Sequence, residues 1–156
     1  MFPKSSKLLL TVLSGITFLL QGCATGTPFS GLAPTPENRA LLYIYRESRI
    51  TGAASSNEVY VNGKPTVDLK SGGYFVVDIE PGPVAISHRV ALSIPLLLTL
   101  VERALETEKK IKVTFTAEAN HVYYVEGMLA GKIELRDYEA ALPILKNCKL
   151  LSPIGQ

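Results

Sequence analysis

The chain has 156 residues with 16 basic and 14 acidic side chains and a formal net charge of +2, the size of one ordinary domain. Two of those basic residues, Lys4 and Lys7, lie in the N-terminal leader, so residues 23–156 carry 14 charges of each sign, and without a basic surplus a nucleic-acid partner is excluded. Cysteine occurs only at Cys23 and Cys148, too seldom for a disulfide-stapled scaffold or a Cys-rich metal centre.

The first 22 residues read as an export signal. Lys4 and Lys7 form a positive start, and Leu8–Leu20 is an apolar run of 13, long enough for a signal core and too short to span a bilayer. The run ends in Leu20-Gln21-Gly22-Cys23. This resembles the lipobox of bacterial lipoproteins: an aliphatic residue, a tolerant position, a small residue, then cysteine. Gln21 is a mild departure at the tolerant position. The resemblance implies a thioether from Cys23 to diacylglycerol, cleavage between Gly22 and Cys23, and an N-acyl chain on the freed amine. Cysteine suits that role because its thiolate is the nucleophile. Two or three acyl chains hold a protein stably, at about 0.8 kcal/mol per buried methylene. Ala24 stands where the family's inner-membrane retention signal has aspartate, which points to the outer membrane, facing the periplasm. The competing reading is an uncleaved anchor or plain secretory signal, with Cys23 incidental.

Ala24–Asn38 is rich in Gly, Pro, Thr and Ser and has neither helical nor strand period. It is expected to be a flexible tether reaching at most roughly 50 Å. With residues 1–22 as signal and 23–38 as anchor and tether, residues 39–156 are left for the folded domain.

The domain reads as β. Ala40–Arg46 alternates, with Leu42 and Ile44 on one face and Tyr43 and Tyr45 on the other. Glu58–Val61, Asn62-Gly63 and Lys64–Leu69 form a hairpin signal, because both turn positions favour φ > 0. After Gly72-Gly73, Tyr74–Ile79 is a strand; Pro81-Gly82-Pro83 turns the chain and Val84–His88 returns. Lys112–Thr116 and Val122–Glu126 flank a turn at Asn120. The spacing predicts an antiparallel β-sandwich. Asp137 is the expected N-cap of a short C-terminal helical segment reaching Lys146, with Pro143 set too far in for an undisturbed helix.

The order ALLYIYR, VYVNGK, Gly-Gly-Tyr-Phe, Pro81-Gly82 and VYYV resembles a family of small bacterial lipoproteins known as domain of unknown function 2846, from about Arg39 to about Leu150. That resemblance implies a secreted, often lipid-anchored β domain and no assigned activity.

One segment breaks the β pattern. Val90–Val101 is nearly all apolar, and Pro95 suits the first position of an inserted helix running to about Thr107. Leu97, Leu100, Val101, Ala104 and Leu105 would share one side, with Leu96 and Leu98 off that stripe. Three readings stay open: a helix packed over a sheet, a patch that docks a partner, or a surface helix dipping into the membrane. In the last two, Leu96, Leu97, Leu98, Leu100 and Val101 form the contact surface.

Catalytic and metal signals are missing. His88 and His121 have no His, Cys or carboxylate at ligand spacing. Ser55, Ser56 and Ser87 lie in no nucleophile elbow, and Gly72-Gly73 precedes a strand rather than a phosphate-binding helix. Asp78 and Glu80 share a strand face that could hold a cation or simply face water. Cys148 reads as a small buried hydrophobe, with an intermolecular disulfide as the alternative. No cofactor, catalytic residue or metal is expected beyond the lipid on Cys23. The leading expectation is a non-enzymatic envelope lipoprotein with an envelope protein partner; the oligomeric state stays open. The alternative is a polysaccharide-binding module using Tyr43, Tyr45, Tyr60 and Tyr123 as outward platforms.

Overall fold

Strand β1 (Ala40–Tyr45) is buried along its whole length, because six consecutive apolar residues leave no solvent face. It is therefore the centre of a sheet. In the computed structural model, which describes residues 23–53, 55–92, 111–127 and 132–155, two sheets form around it. The first has the order β8-β7-β1-β4-β9, with β4 (Gly73–Ile79), β7 (Val122–Gly127), β8 (Ile133–Arg136) and β9 (Lys149–Leu150). The second has the order β3-β2-β5-β6, with β2 (Ser55–Val61), β3 (Lys64–Leu69), β5 (Gly82–Leu92) and β6 (Ile111–Ala117). Among the described residues the fold is thus mainly β, with two sheets and one short helix.

Local signals hold. Asn62 and Gly63 take φ of 49° and 77° and close the β2–β3 hairpin. Asn120, at φ 63°, turns β6 into β7. The expected C-terminal segment is helix α1 (Tyr138–Leu145), and the Asp137 carboxylate accepts the Ala140 N–H at 2.8 Å as its N-cap. Pro143 lies within this helix, which ends two residues later, so little continues past the missing N–H donor.

The antiparallel expectation needs correcting. The second sheet is antiparallel throughout its pairings, but the first is mixed: β1 pairs parallel with β7, and β4 pairs parallel with β9. Alternation along a strand reports which faces are buried and says nothing of direction, so this was invisible in the sequence. Strand β5 also runs four residues beyond His88, since β2 begins at Ser55 and pairs up to Leu92. Val90–Leu92 therefore belong to the sheet. The helix expected from Pro95 to Thr107 lies outside the described residues.

Between the sheets lies a core of Leu42, Ile44, Val59, Val61, Val67, Leu69, Val84, Ile86 and Val125 with their neighbours. The other face of the first sheet carries a second apolar layer. Leu41, Tyr43, Tyr45, Tyr74 and Tyr124 are covered there by Ala141, Leu145, Cys148 and Phe29.

Phe29 belongs to the stretch expected to be a free tether. Instead, Ala24 is buried and its N–H donates to Ser71 O at 3.1 Å. The Leu150 N–H donates to Thr27 O at 2.7 Å, and the Phe29 N–H to Cys148 O at 3.0 Å. The Phe29 ring stands edge-on to Tyr74, with centroids 5.4 Å apart. The sheet edge at β4 and β9 offers unpaired backbone groups, and this segment satisfies them.

Candidate functional site

The β1–β2 and β3–β4 connections lie at one end of the strands, where β5 and β7 also end. The antiparallel pairing of β1 with β4 sets the exit from β1 beside the entry to β4, and that of β2 with β5 sets the entry to β2 beside the exit from β5. The Arg46 N–H donates to Gly73 O at 2.9 Å, and Ser55 pairs with Leu92. Among the described residues, the opposite end carries the tight turns at Asn62-Gly63, Glu80-Pro81 and Ala119-Asn120.

A cleft of about 530 Å³ opens at the loop end between the β1–β2 connection, β7, β8 and α1. Arg46 forms its floor, Arg49 and Thr51 one rim, Lys132 another, and Ala140 and Ile144 of α1 an apolar wall. The remaining wall is an ion pair: Arg136 Nε lies 2.9 Å from Glu126 Oε2, with Glu126 only 7% exposed. Arg136 also reaches Glu134 at 3.0 Å, and Lys132 pairs with that same carboxylate. The hydrogen bond from Lys132 is the main cause that holds Glu134 below the usual carboxylate range, with the two cations adding to it. Arg49 pairs with Glu47 at 2.5 Å.

Arg46 differs from these neighbours. It is 4% exposed and, among the described residues, has no carboxylate within ion-pair distance. Its guanidinium donates to Ser55 O and Gly52 O, both at 2.8 Å, which clasps the β1–β2 connection. Burial alone pulls its pKa down. Among the described residues the cleft thus holds, in Arg46, a buried cation without an ion-pair partner, beside an apolar wall, an arrangement that suits an anionic group. Arg46→Met should cost about 2 kcal/mol, because two half-buried carbonyls lose charge-assisted donors. Urea unfolding measures it, and an unchanged midpoint would show that water replaces both bonds without loss.

The residues singled out in the sequence fall elsewhere. His88 is buried in β5 opposite Val59, whereas His121 lies at the Asn120 turn, at the other end of the strands. His121 Nε2 is 3.7 Å from Glu118, both well exposed. Among the described residues no group of three or more His, Cys, Asp or Glu gathers as a metal site. Arg39 occupies the Asp78–Glu80 face, at 2.6 Å and 3.2 Å. Cys148 is 1% exposed, and its thiol donates to Ile144 O at 3.3 Å, so a disulfide with another chain would require local opening. Tyr43, Tyr45 and Tyr60 are 1%, 0% and 3% exposed, which corrects their placement as outward platforms. Tyr43 and Tyr45 lie under α1 and Phe29 instead. Tyr123 is half-buried against Phe115, with ring centroids 4.6 Å apart. Leu96, Leu97, Leu98, Leu100 and Val101 lie outside the described residues. Sequence reasoning missed Arg46, and the only hint was a cation directly following a wholly apolar strand.

Among known proteins, the family model described as a protein of unknown function (DUF2846) matches residues 36–132. That stretch covers β1 to β7 and stops short of β8, α1 and β9. No curated protein and no solved structure matches the chain.

Proposed function

The chain belongs to the DUF2846 family, and on that premise we propose that it is a lipid-anchored, non-enzymatic binding module of the bacterial envelope. The observation that carries the reading is Cys23. It closes the Leu20-Gln21-Gly22-Cys23 box, and it is exposed where the fold begins, with its thiol free. Diacylglycerol on that sulfur and an acyl chain on the freed amine would hold the protein to the outer membrane, facing the periplasm. Among the described residues no helix is long and apolar enough to cross a bilayer. We read the two facing sheets as a β-sandwich whose Arg46 cleft takes an anionic group at the membrane surface. The polysaccharide alternative keeps only Tyr123 as an accessible aromatic among its four, and that ring already packs, tilted, against Phe115.

Intact-mass spectrometry of membrane-extracted protein tests the anchor. The expected mass is that of a chain starting at Cys23 plus acyl chains, and Cys23→Ser should move the protein from the membrane to the soluble fraction. A full-length unmodified chain, or a cut at another bond, overturns the proposal.

A further inference from the structure

We propose that the loop end of the domain lies directly on the lipid bilayer, with Ile50 at the membrane and Arg49, Lys70 and Lys132 at the level of the phosphate headgroups. This rests on lipidation of Cys23.

The first argument is the position of Cys23 relative to the fold. Cys23 forms a parallel bridge with Ser71, and the next residue is hydrogen-bonded to Ser71 O. From there to Phe29 the chain is fixed along β9. Acyl chains on Cys23 would therefore start at the surface of the domain, with no tether between protein and lipid. An anchor held this way fixes which end of the molecule meets the membrane.

The second argument is what surrounds Cys23. Ser71 Oγ accepts the Arg49 N–H at 3.0 Å and donates to Arg49 O at 3.1 Å, so the β1–β2 connection adjoins the lipidation site. The next residue, Ile50, is 97% exposed, a large aliphatic side chain left uncovered among the described residues. Arg49 beside it is 66% exposed, and Lys132, which opens β8 at the same end, is 65% exposed. Lys70 immediately precedes Ser71. Apolar tip and basic rim are the chemistry that a bilayer with anionic headgroups accepts.

The third argument is the asymmetry between the two ends. Among the described residues this end carries Ile50 with Arg49, Lys70 and Lys132. The turns of the far end hold Asn62, Lys64, Glu80, Glu118 and Asn120. Among the described residues the most exposed large aliphatic side chain, Ile50, stands at the first end, and the far end is made of polar turns.

Site-specific fluorescence decides the matter. Ile50→Cys and Lys64→Cys, each in the full-length protein processed in cells, are labelled with a small fluorophore and reconstituted in phosphatidylethanolamine–phosphatidylglycerol vesicles carrying a nitroxide at the headgroup. Strand β2 separates the two positions by roughly 20 Å. Quenching at Ile50→Cys several-fold stronger than at Lys64→Cys is the expected result. Equal quenching in a protein whose mass shows the acyl chains would mean a domain tumbling on its anchor, and would overturn the orientation while leaving the lipidation intact. Stronger quenching at Lys64→Cys would reverse the orientation. An unmodified Cys23 would overturn both.

Discussion

Gly26→Ala is expected to destabilise the folded domain by about 3 kcal/mol, at the upper end of what an overpacked site costs. A Cβ at Gly26 would stand 1.8 Å from Leu150 O and 2.9 Å from its carbonyl carbon. Both are backbone atoms, so no side chain can swing aside. Either β9 or the incoming segment must move. Movement breaks the Leu150 N–H bond to Thr27 O and disturbs the Lys149 N–H bond to Gly72 O, of 2.7 and 2.9 Å. It also lifts Phe29 from the layer it shares with Tyr43 and Tyr74. Ser30→Ala, on an exposed neighbour, should change stability little. Urea denaturation of both variants reads the difference. If Gly26→Ala matched Ser30→Ala, the 24–29 segment would be a tether after all, and the lipid would not orient the domain.

This prediction turns on the point where the sequence was least informative. Thr25, Gly26, Pro28 and Ser30 have the composition of a linker, and composition does not reveal that a two-residue strand from the far C-terminus offers it backbone partners. Local chemistry, by contrast, was legible. Asn62-Gly63 fixed a hairpin because few other residues accept those torsions, and Asp137 capped α1 because its carboxylate reaches the Ala140 N–H. The alternation in β1 gave both its faces correctly, Leu42 and Ile44 against Tyr43 and Tyr45. What covers the tyrosine face was not legible, since α1 lies nearly a hundred residues further on. The cleft has the same origin. Arg46, Glu126 and Arg136 are brought together by the parallel pairing of β1 with β7, which no short-range pattern encodes.

Stability is expected to fall steeply between pH 9 and pH 12, by roughly 4 kcal/mol through Cys148 alone. Burial is the main cause that pushes this thiol up to about 12, with the charges of Glu47 and Glu126 adding to it. An unfolded thiol gives up its proton near 9, so across that window the native state binds more protons than the unfolded one, and ΔG of unfolding drops as pH rises. Below pH 9 both states keep the proton and the contribution is complete. The tyrosine layer acts in the same direction. Burial, ahead of the nearby Tyr43 and Tyr138 hydroxyls, pushes Tyr124 up to about 12, and burial also raises Tyr43, Tyr45 and Tyr74. Tyr45 is the extreme case: fully buried, with a hydroxyl that finds no hydrogen-bond partner among the described residues. A loss of this size is comparable with the whole stability of a typical domain, so the second apolar layer should set the alkaline limit of the fold. Urea midpoints measured from pH 9 upward test it. Cys148→Ala should flatten the first part of the decline, before tyrosines ionise, and Tyr45→Phe the later part. A midpoint that stays constant across the window would mean that Cys148 and the tyrosines ionise as easily in the folded chain as in the unfolded one, and that the layer beneath α1 and Phe29 admits water.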